Sequence, residues 1–399
     1  MREYLWLFLL LLILAAVFRD DAVFLLFYLL AGVFLVSHWW SRRALAAVTF
    51  ERRFTERAFP GETVTIRLRL RNRGWLPVVW LRLLDSAPTE LLSRPQSLLD
   101  VISLGPLGET ELSYDLQTYK RGYYRLGPLF LTSGDLLGLE ADIQRQGGVD
   151  GLIVYPRLVA LTQLGLPSHA PLGALRHRQP IYEDPARTAG KRDYVSGDSL
   201  RRLDWKTTAA VGRLQVKVFE PSIALTTMVA LNLSVADYDL RTRYDATELA
   251  IVVAASLANW STGQGQPVGL AANGLDSVYA GAPPVLPPRK GRAHLMRLLE
   301  VLARLQPAEA APPLADLLRR QAAGLPWGAT LIVITGSLEA TLAEVLLGIR
   351  QAGLNAVLMV VGPAPGPAEV RGRLARLGVA SYHIWNERDL DRWRGKHGR

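Results

Sequence analysis

Residues 228–257 read MVALNLSVADYDLRTRYDATELAIVVAASL. Met228 to Leu233 is a short apolar run, the pattern of a strand buried on both faces of a parallel sheet. After a polar loop, Leu249, Val252, Val253 and Leu257 recur at helical spacing. A buried strand followed by such a helix is one unit of an α/β domain, and the chain repeats it. Val268–Ala271 reads as a strand, and Leu295, Leu298, Leu299 and Leu302 as a helical stripe. Leu331–Ile334 is strand-like, and Leu342, Val345, Leu346 and Ile349 are helical. Ala356–Val361, a shorter helix over Val370–Leu377 and a strand over Ser381–Ile384 complete the alternation. Residues 226–399 are therefore expected to form an open parallel sheet with helices on both faces. Ligands in such domains meet the carboxyl ends of the strands, which carry Asn232, Ser234, Thr335, Gly336 and Ser337.

Upstream, from about Val48 to Tyr155, the period changes to two. Val64, Ile66, Leu68 and Leu70 alternate with Thr65, Arg67, Arg69 and Arg71, giving one buried and one wet face. Asn72-Arg73-Gly74 signals a turn. Val78–Leu84 reads as a second strand, and Leu112, Tyr114 and Leu116 mark a third. Short strands with frequent turns predict a β-sandwich-like domain over residues 48–157. Its arginines read as a solvated strand face. They lack the aromatic platform that single-stranded nucleic acid needs.

The N-terminus is apolar. Tyr4 to Phe18 carries no charge, Arg19-Asp20-Asp21 follows, and Ala22 to Trp40 is a second uncharged run. As helices these runs reach about 22 and 28 Å, against a hydrocarbon core of about 30 Å. Trp6, Trp39 and Trp40 lie near run ends, where amphipathic rings favour headgroups. Residues 1–43 are expected to form a transmembrane hairpin with lipid contact through residues 4–40. Arg2, Arg42 and Arg43 lie outside the runs, which predicts cytoplasmic ends by the positive-inside rule. The expected location is the inner (cytoplasmic) membrane, multi-pass, with the soluble domains on the cytoplasmic side. Arg42, Arg43, Arg52 and Arg53 are read as favouring anionic lipid.

Composition narrows the function classes. The 399 residues are 49% hydrophobic and 21% charged, enough apolar content to exclude a mainly disordered chain. There is no cysteine, hence no disulfide, thiol nucleophile or Cys-ligated metal. His38, His169, His177, His294, His383 and His397 show no metal-ligand spacing. Gly263-Gln264-Gly265 precedes a strand rather than a helix, the wrong context for a dinucleotide loop. No Walker A sequence or G-x-S-x-G elbow is present. The reading is a non-enzymatic protein with no cofactor, no metal and no nucleic-acid partner.

The net charge of +10 is concentrated. Residues 174–219 hold ten Lys/Arg and five Asp/Glu, half of the excess. This stretch lies in a connector over residues 158–225, irregular and rich in Pro, Gly and Leu over Val159–Pro185. It contains Arg192, Tyr194, Gly197, Asp198, Arg201, Asp204, Trp205 and Lys206. Interleaved signs favour internal ion pairs over an anion-binding patch. Trp205 is expected to anchor the segment on an apolar surface. The segment reads either as a docking surface or as a structural clamp. An alternative makes Asp198 and Asp204 the carboxylates of a hydrolase. Carboxylates beside Arg201, Arg202 and Lys206 are, however, expected to stay ionised as ion-pair partners.

The string Y-x-x-G-D-x-x-R-x-x-D-W-K-x-T at Tyr194–Thr208, running on to Val216–Glu220, resembles the bacterial family called domain of unknown function 58. So do Lys120–Pro128 and Gly134–Leu139, which are similar to that family's R-G-x-Y-x-x-G-P … D-x-x-G-L pattern. The resemblance implies a two-helix anchor, a β-sandwich-like domain and a von Willebrand factor A-like, Rossmann-type domain over 226–399. It also implies a MoxR-type AAA+ ATPase as partner, in assembly or maturation of other proteins. The factor A fold often holds a divalent cation with D-x-S-x-S after its first strand, plus a distant Thr and Asp. Here the matching positions are Asn232, Ser234 and Ala236, and the later strand ends in Thr335-Gly336-Ser337. Asp237 and Asp239 are out of register. Weak or no Mg²⁺ binding is expected.

Overall fold

The computed structural model describes residues 6, 9, 10, 12, 13, 17, 21–92, 99–134, 143–160, 183–195, 203–221, 226–279, 281–363, 368–376 and 378–390. Most of the first apolar run, and with it the hairpin, lies outside the described residues, as do Gly197, Asp198 and Arg201. The chain divides into two compact units, Met1–Arg157 with Leu302–Arg304, and Leu158–Val301 with Leu305–Arg399.

The first unit begins with helix α1, Asp21–Ala46. It is long and apolar enough to cross a membrane. Leu25, Leu26, Leu29, Leu35 and Val36 along it are exposed, which suits lipid and not water. Its last turns differ. Ser37, Ser41, Ala44 and Leu45 are buried, and Trp40 donates its indole N–H to the Pro77 carbonyl at 3.1 Å. The Arg145 guanidinium donates to the carbonyls of Ala46 at 3.4 Å and Val48 at 2.7 Å. The first of these is a carbonyl that the helix end leaves open, and a cation suits it.

Among the described residues ten strands follow: β1 Val48–Arg53, β2 Arg57–Ala58, β3 Thr63–Asn72, β4 Val78–Asp85, β5 Leu99–Leu104, β6 Glu109–Gln117, β7 Gly122–Leu126, β8 Leu129–Ser133, β9 Ile143–Gln146 and β10 Asp150–Val154. They form three sheets, ordered β1-β3-β6, β2-β10-β7 and β5-β4-β8-β9. One core joins them, with Ile66, Leu70, Leu81, Leu126, Leu131 and Leu152 fully buried. Where the sequence predicts a β-sandwich-like domain, the structure has a strand-rich region of three sheets. In β3 the alternation is complete, with Val64, Ile66, Leu68 and Leu70 inward and the arginines outward. Arg69 pairs with Glu109 and Arg67 with Glu111, as a solvated face of β3 would.

Arg52 departs from its expected lipid role. Its side chain is 1% exposed and forks onto Asp85, which is equally buried. It also contacts Asp150, and the Tyr114 hydroxyl donates to Asp85 at 2.7 Å. Burial opposes the guanidinium charge, but the two carboxylates outweigh it and hold its pKa above the usual value. Period-two alternation along β1 puts Arg52 on the inner face, where only a paired charge is tolerated.

The second unit is built on a six-stranded sheet. Its strands are β13 Thr227–Leu231, β14 Val268–Ala272, β16 Leu286–Arg289, β18 Thr330–Thr335, β19 Asn355–Val361 and β20 Ala380–Ile384, in the order β16-β14-β13-β18-β19-β20. All neighbours are parallel except β16, which runs antiparallel on the edge. Two short strands, β15 Leu275–Asp276 and β17 Leu305–Gln306, pair separately. The helices are α3 Arg243–Gly263, α4 Arg292–Arg304, α5 Leu314–Gly324, α6 Ala340–Gln351 and α7 Ala368–Arg376. Met228, Ala230, Leu331, Val333 and Leu358 pack on one face against residues of α5, α6 and α7. Val229, Leu231, Ile332 and Ile334 alternate with them and are equally buried, so both faces of the strands are covered, as the apolar runs predict. The chain leaves β13 toward β14 and later returns to its other side as β18. That reversal is the topological switch point of an open α/β sheet.

Candidate functional site

Two places collect the residues singled out in the sequence. The first lies between β11, Glu183–Asp193, and β12, Gln215–Pro221, an antiparallel pair. Between them sits the two-turn helix α2, Trp205–Val211. Asp204 is its N-cap, accepting from the Thr207 N–H at 3.2 Å. Gly212 ends it in the left-handed conformation at φ 72°, with its N–H on the Thr208 carbonyl. Asp204 is 9% exposed, and its other oxygen pairs with Lys191 at 2.8 Å. The Lys191 ammonium and the Thr207 N–H together hold its carboxyl well down, at about 2. Among the described residues its ion-pair partner is Lys191, thirteen positions upstream on β11; the expected neighbours Arg201 and Arg202 lie outside the described residues. Gln215 reaches Asp193, and its N–H meets the Thr208 hydroxyl at 3.0 Å. The Tyr194 N–H bonds to the Leu214 carbonyl at 2.8 Å. Arg192 is exposed.

Trp205 contradicts its expected anchoring role, because it is 68% exposed. The reason is positional. Asp204 must face inward to cap and to meet Lys191, and the first helical residue then points away from both. Lys206 is exposed beside it.

The second place is the switch point. Asn232 follows β13 and is fully buried. Its Oδ1 accepts from the Ser234 N–H at 3.1 Å and from Asn273 Nδ2 at 2.8 Å. Its Nδ2 donates to Asp237 Oδ2 at 2.7 Å and to Thr335 Oγ1 at 2.9 Å. The orientation is forced, since a backbone N–H only donates and a carboxylate only accepts. All four hydrogen-bonding positions of the amide are used. Asn273, after β14, takes the Leu233 N–H at 2.7 Å and donates to Pro312. The Tyr238 hydroxyl donates to the Asn232 carbonyl at 2.6 Å. Complete burial, with Asp237 adjoining, pushes the pKa of that phenol up.

Asp237, set aside by register in the sequence, enters through a 3₁₀ turn over Val235–Asp237 that folds it back. Ala236 points outward and adds nothing. Gly336 is needed where it stands: a Cβ would lie 2.3 Å from the Tyr238 ring and 2.6 Å from the Asp237 carbonyl. Beside the network is a cleft of about 250 Å³ lined by Ser234, Asp237, Thr335, Ser337, Glu339 and Thr341.

Residues 190–363, which span both places, match the family model described as protein of unknown function DUF58. Over those residues the chain is similar to the DUF58 family, in line with the resemblance carried by the Tyr194–Thr208 string. An uncharacterized protein of Bacillus subtilis, YeaD, is 25% identical over 307 residues, covering 75% of this chain and 72% of its own. Among solved structures, the CARDB domain of the PF1109 protein from Pyrococcus furiosus has 16% identity and a TM-score of 0.21, covering 27% of this chain and 91% of its own. Native alpha-2-macroglobulin from Escherichia coli has 18% identity and a TM-score of 0.24, covering 28% and 17%. At those scores neither structure bears on the fold.

Within the region that matches the DUF58 model the switch point has the donor set to test against a divalent cation. Hard cations need several free oxygen lone pairs. Here the first position is an amide that aims its N–H groups at Asp237 and Thr335, and Ala236 offers no oxygen. Among the described residues no group of three or more His, Asp or Glu assembles. The residues do not fit a factor A-type cation. What they build is a rigid hydrogen-bonded floor beneath a polar cleft.

Proposed function

We propose that this protein is a membrane-anchored, non-catalytic adaptor. It presents a von Willebrand factor A-like domain to a cytoplasmic protein partner, in the assembly or maturation of other proteins. A MoxR-type AAA+ ATPase is the partner class that the family resemblance implies. The strand order, with one antiparallel edge strand, supports the factor A-like assignment. The apolar length of α1 supports the anchor.

One observation carries the adaptor reading. In the Asp-Trp-Lys segment the acid is turned in and the tryptophan out. Asp204 is held by Thr207 and Lys191, which keep its carboxyl near 2 and make it a poor general base for hydrolysis. Trp205 stands 68% exposed on a capped helix. Exposed Trp on a fixed element is the residue type that dominates binding hot spots. The test is crosslinking of the full-length tagged protein in cells, followed by capture from detergent-solubilised membranes. Trp205→Ala is expected to lose a stoichiometric ATPase while the β11–β12 segment stays folded. Undiminished capture by a folded variant overturns this surface.

A further inference from the structure

We infer that the end of the strand-rich domain next to α1 is a second membrane contact, a lipid-docking foot formed by the loops at 73–77 and 105–108. The inference rests on the reading that α1 spans the membrane.

The depth follows from the helix. About 30 Å of α1 separates Asp21 from Trp40, the thickness of a hydrocarbon core. One interface then falls at Trp39 and Trp40. The Trp40 indole donates to the Pro77 carbonyl, so the 73–77 loop stands at headgroup level. The same loop touches the helix end, where the Arg73 N–H bonds to the Ala47 carbonyl at 2.9 Å. Trp75 in this loop is 69% exposed.

The 105–108 turn is fastened to it. The Leu107 N–H bonds to the Gly74 carbonyl at 3.0 Å, and the Gly108 N–H closes the turn on Gly105. Asn72, fully buried, stitches both loops: its Nδ2 donates to the carbonyls of Leu76 and Gly105, and its Oδ1 takes the Gly74 N–H. The turn places Pro106 second and Leu107 third. Leu107 has a φ of 54°, a left-handed position normally given to Gly or Asn. A strained, branched apolar side chain that is 70% exposed has no use in water. At a lipid interface it does, and Trp75 beside it is the residue type that settles among headgroups. Arg42 and Arg43 near the end of α1 and Arg73 in the loop are exposed and complement anionic lipid. A second contact fixes the rotation and tilt of the strand-rich domain on the bilayer, which a lone helix does not.

The absence of cysteine makes the test clean. Single-cysteine variants of the full-length protein, Trp75→Cys, Leu107→Cys, Leu29→Cys and Tyr119→Cys, carry a fluorophore in vesicles of phosphatidylglycerol and brominated phosphatidylcholine. Leu29 lies mid-helix and exposed. Tyr119 lies beyond the far end of β6, about 27 Å from the turn. Labels at 75 and 107 are expected to be quenched by brominated chains and shielded from aqueous iodide severalfold better than at 119. If 29 is lipid-quenched while 75 and 107 behave like 119, the foot is wrong and the anchor stands. If 29 is open to iodide, the anchor reading fails and the foot with it. Circular dichroism of each labelled variant confirms that the fold survives.

Discussion

Asn232→Asp is the sharpest perturbation of the switch point. The change is isosteric but replaces an N–H donor by a carboxylate oxygen. Thr335 can turn its hydroxyl to donate, so the 2.9 Å contact survives with its sense reversed. The 2.7 Å contact to Asp237 does not, because two carboxylate oxygens then face each other. At an effective dielectric of about 20 the repulsion is on the order of 5 kcal/mol. An uncompensated buried charge costs about 3–5 kcal/mol by mutational precedent, so the two routes agree. For a unit of this size the melting temperature should fall by about 10 °C at pH 7. The introduced carboxyl has its folded pKa raised above its unfolded value. Its penalty therefore grows as pH rises through the unfolded value toward the folded one and is full above it. Lowering the pH should recover stability in the variant relative to the native protein. Millimolar Mg²⁺ should do the same at pH 7, since the variant pairs two carboxylates with Ser234 and Thr335. Thermal unfolding of the full-length protein in detergent, with and without Mg²⁺ and at pH 7 and 5, measures all of this. An equally stable variant, indifferent to pH and Mg²⁺, would refute the reasoning. So would a native protein already stabilised by Mg²⁺.

Two further outcomes are expected. Arg52→Met should cost the strand-rich domain about 3–5 kcal/mol, because Asp85 is left buried with only the Tyr114 hydroxyl; Arg52→Lys should recover little, lacking the fork, and urea unfolding distinguishes the two. For Asp204, the folded carboxyl lies near 2 against an ordinary 3.8. Its contribution is present above the ordinary value and lost as pH falls toward 2, so amide exchange of α2 should accelerate over that window in the native protein and show no such step in Asp204→Asn.

Much of the fold was legible because burial writes itself into periodicity. The runs at Met228, Leu331 and Ala356 became parallel strands, and Ala22–Trp40 lies inside one helix. β16 was not legible. Its four residues read Leu-Pro-Pro-Arg, and proline argues against a strand except at an edge, which is where it sits. α5 also went unread, its short apolar stripe following the prolines at 312 and 313. In the site, Asn232, Ser234 and Thr335 were found because strand ends mark ligand positions. Asp237 and Asn273 were missed. The first depends on a turn that reverses the chain, and the second comes from a neighbouring strand 41 residues away. Trp205 misled for another reason. Hydrophobic side chains are expected inside, yet local capping by Asp204 outranked that preference over a helix of two turns. Arg52 likewise sits at an alternating position whose inward sense depends on Asp85, 33 residues downstream.

Trp205 is proposed to face a protein partner. A photo-reactive phenylalanine analogue placed at 205 in the full-length protein, irradiated in cells, tests it most directly. The account predicts a crosslink to a single AAA+ ATPase of the MoxR type, absent when the analogue stands at exposed Val211 on the far turn of α2. Crosslinks only within the chain, or the same adduct from both positions, would contradict it.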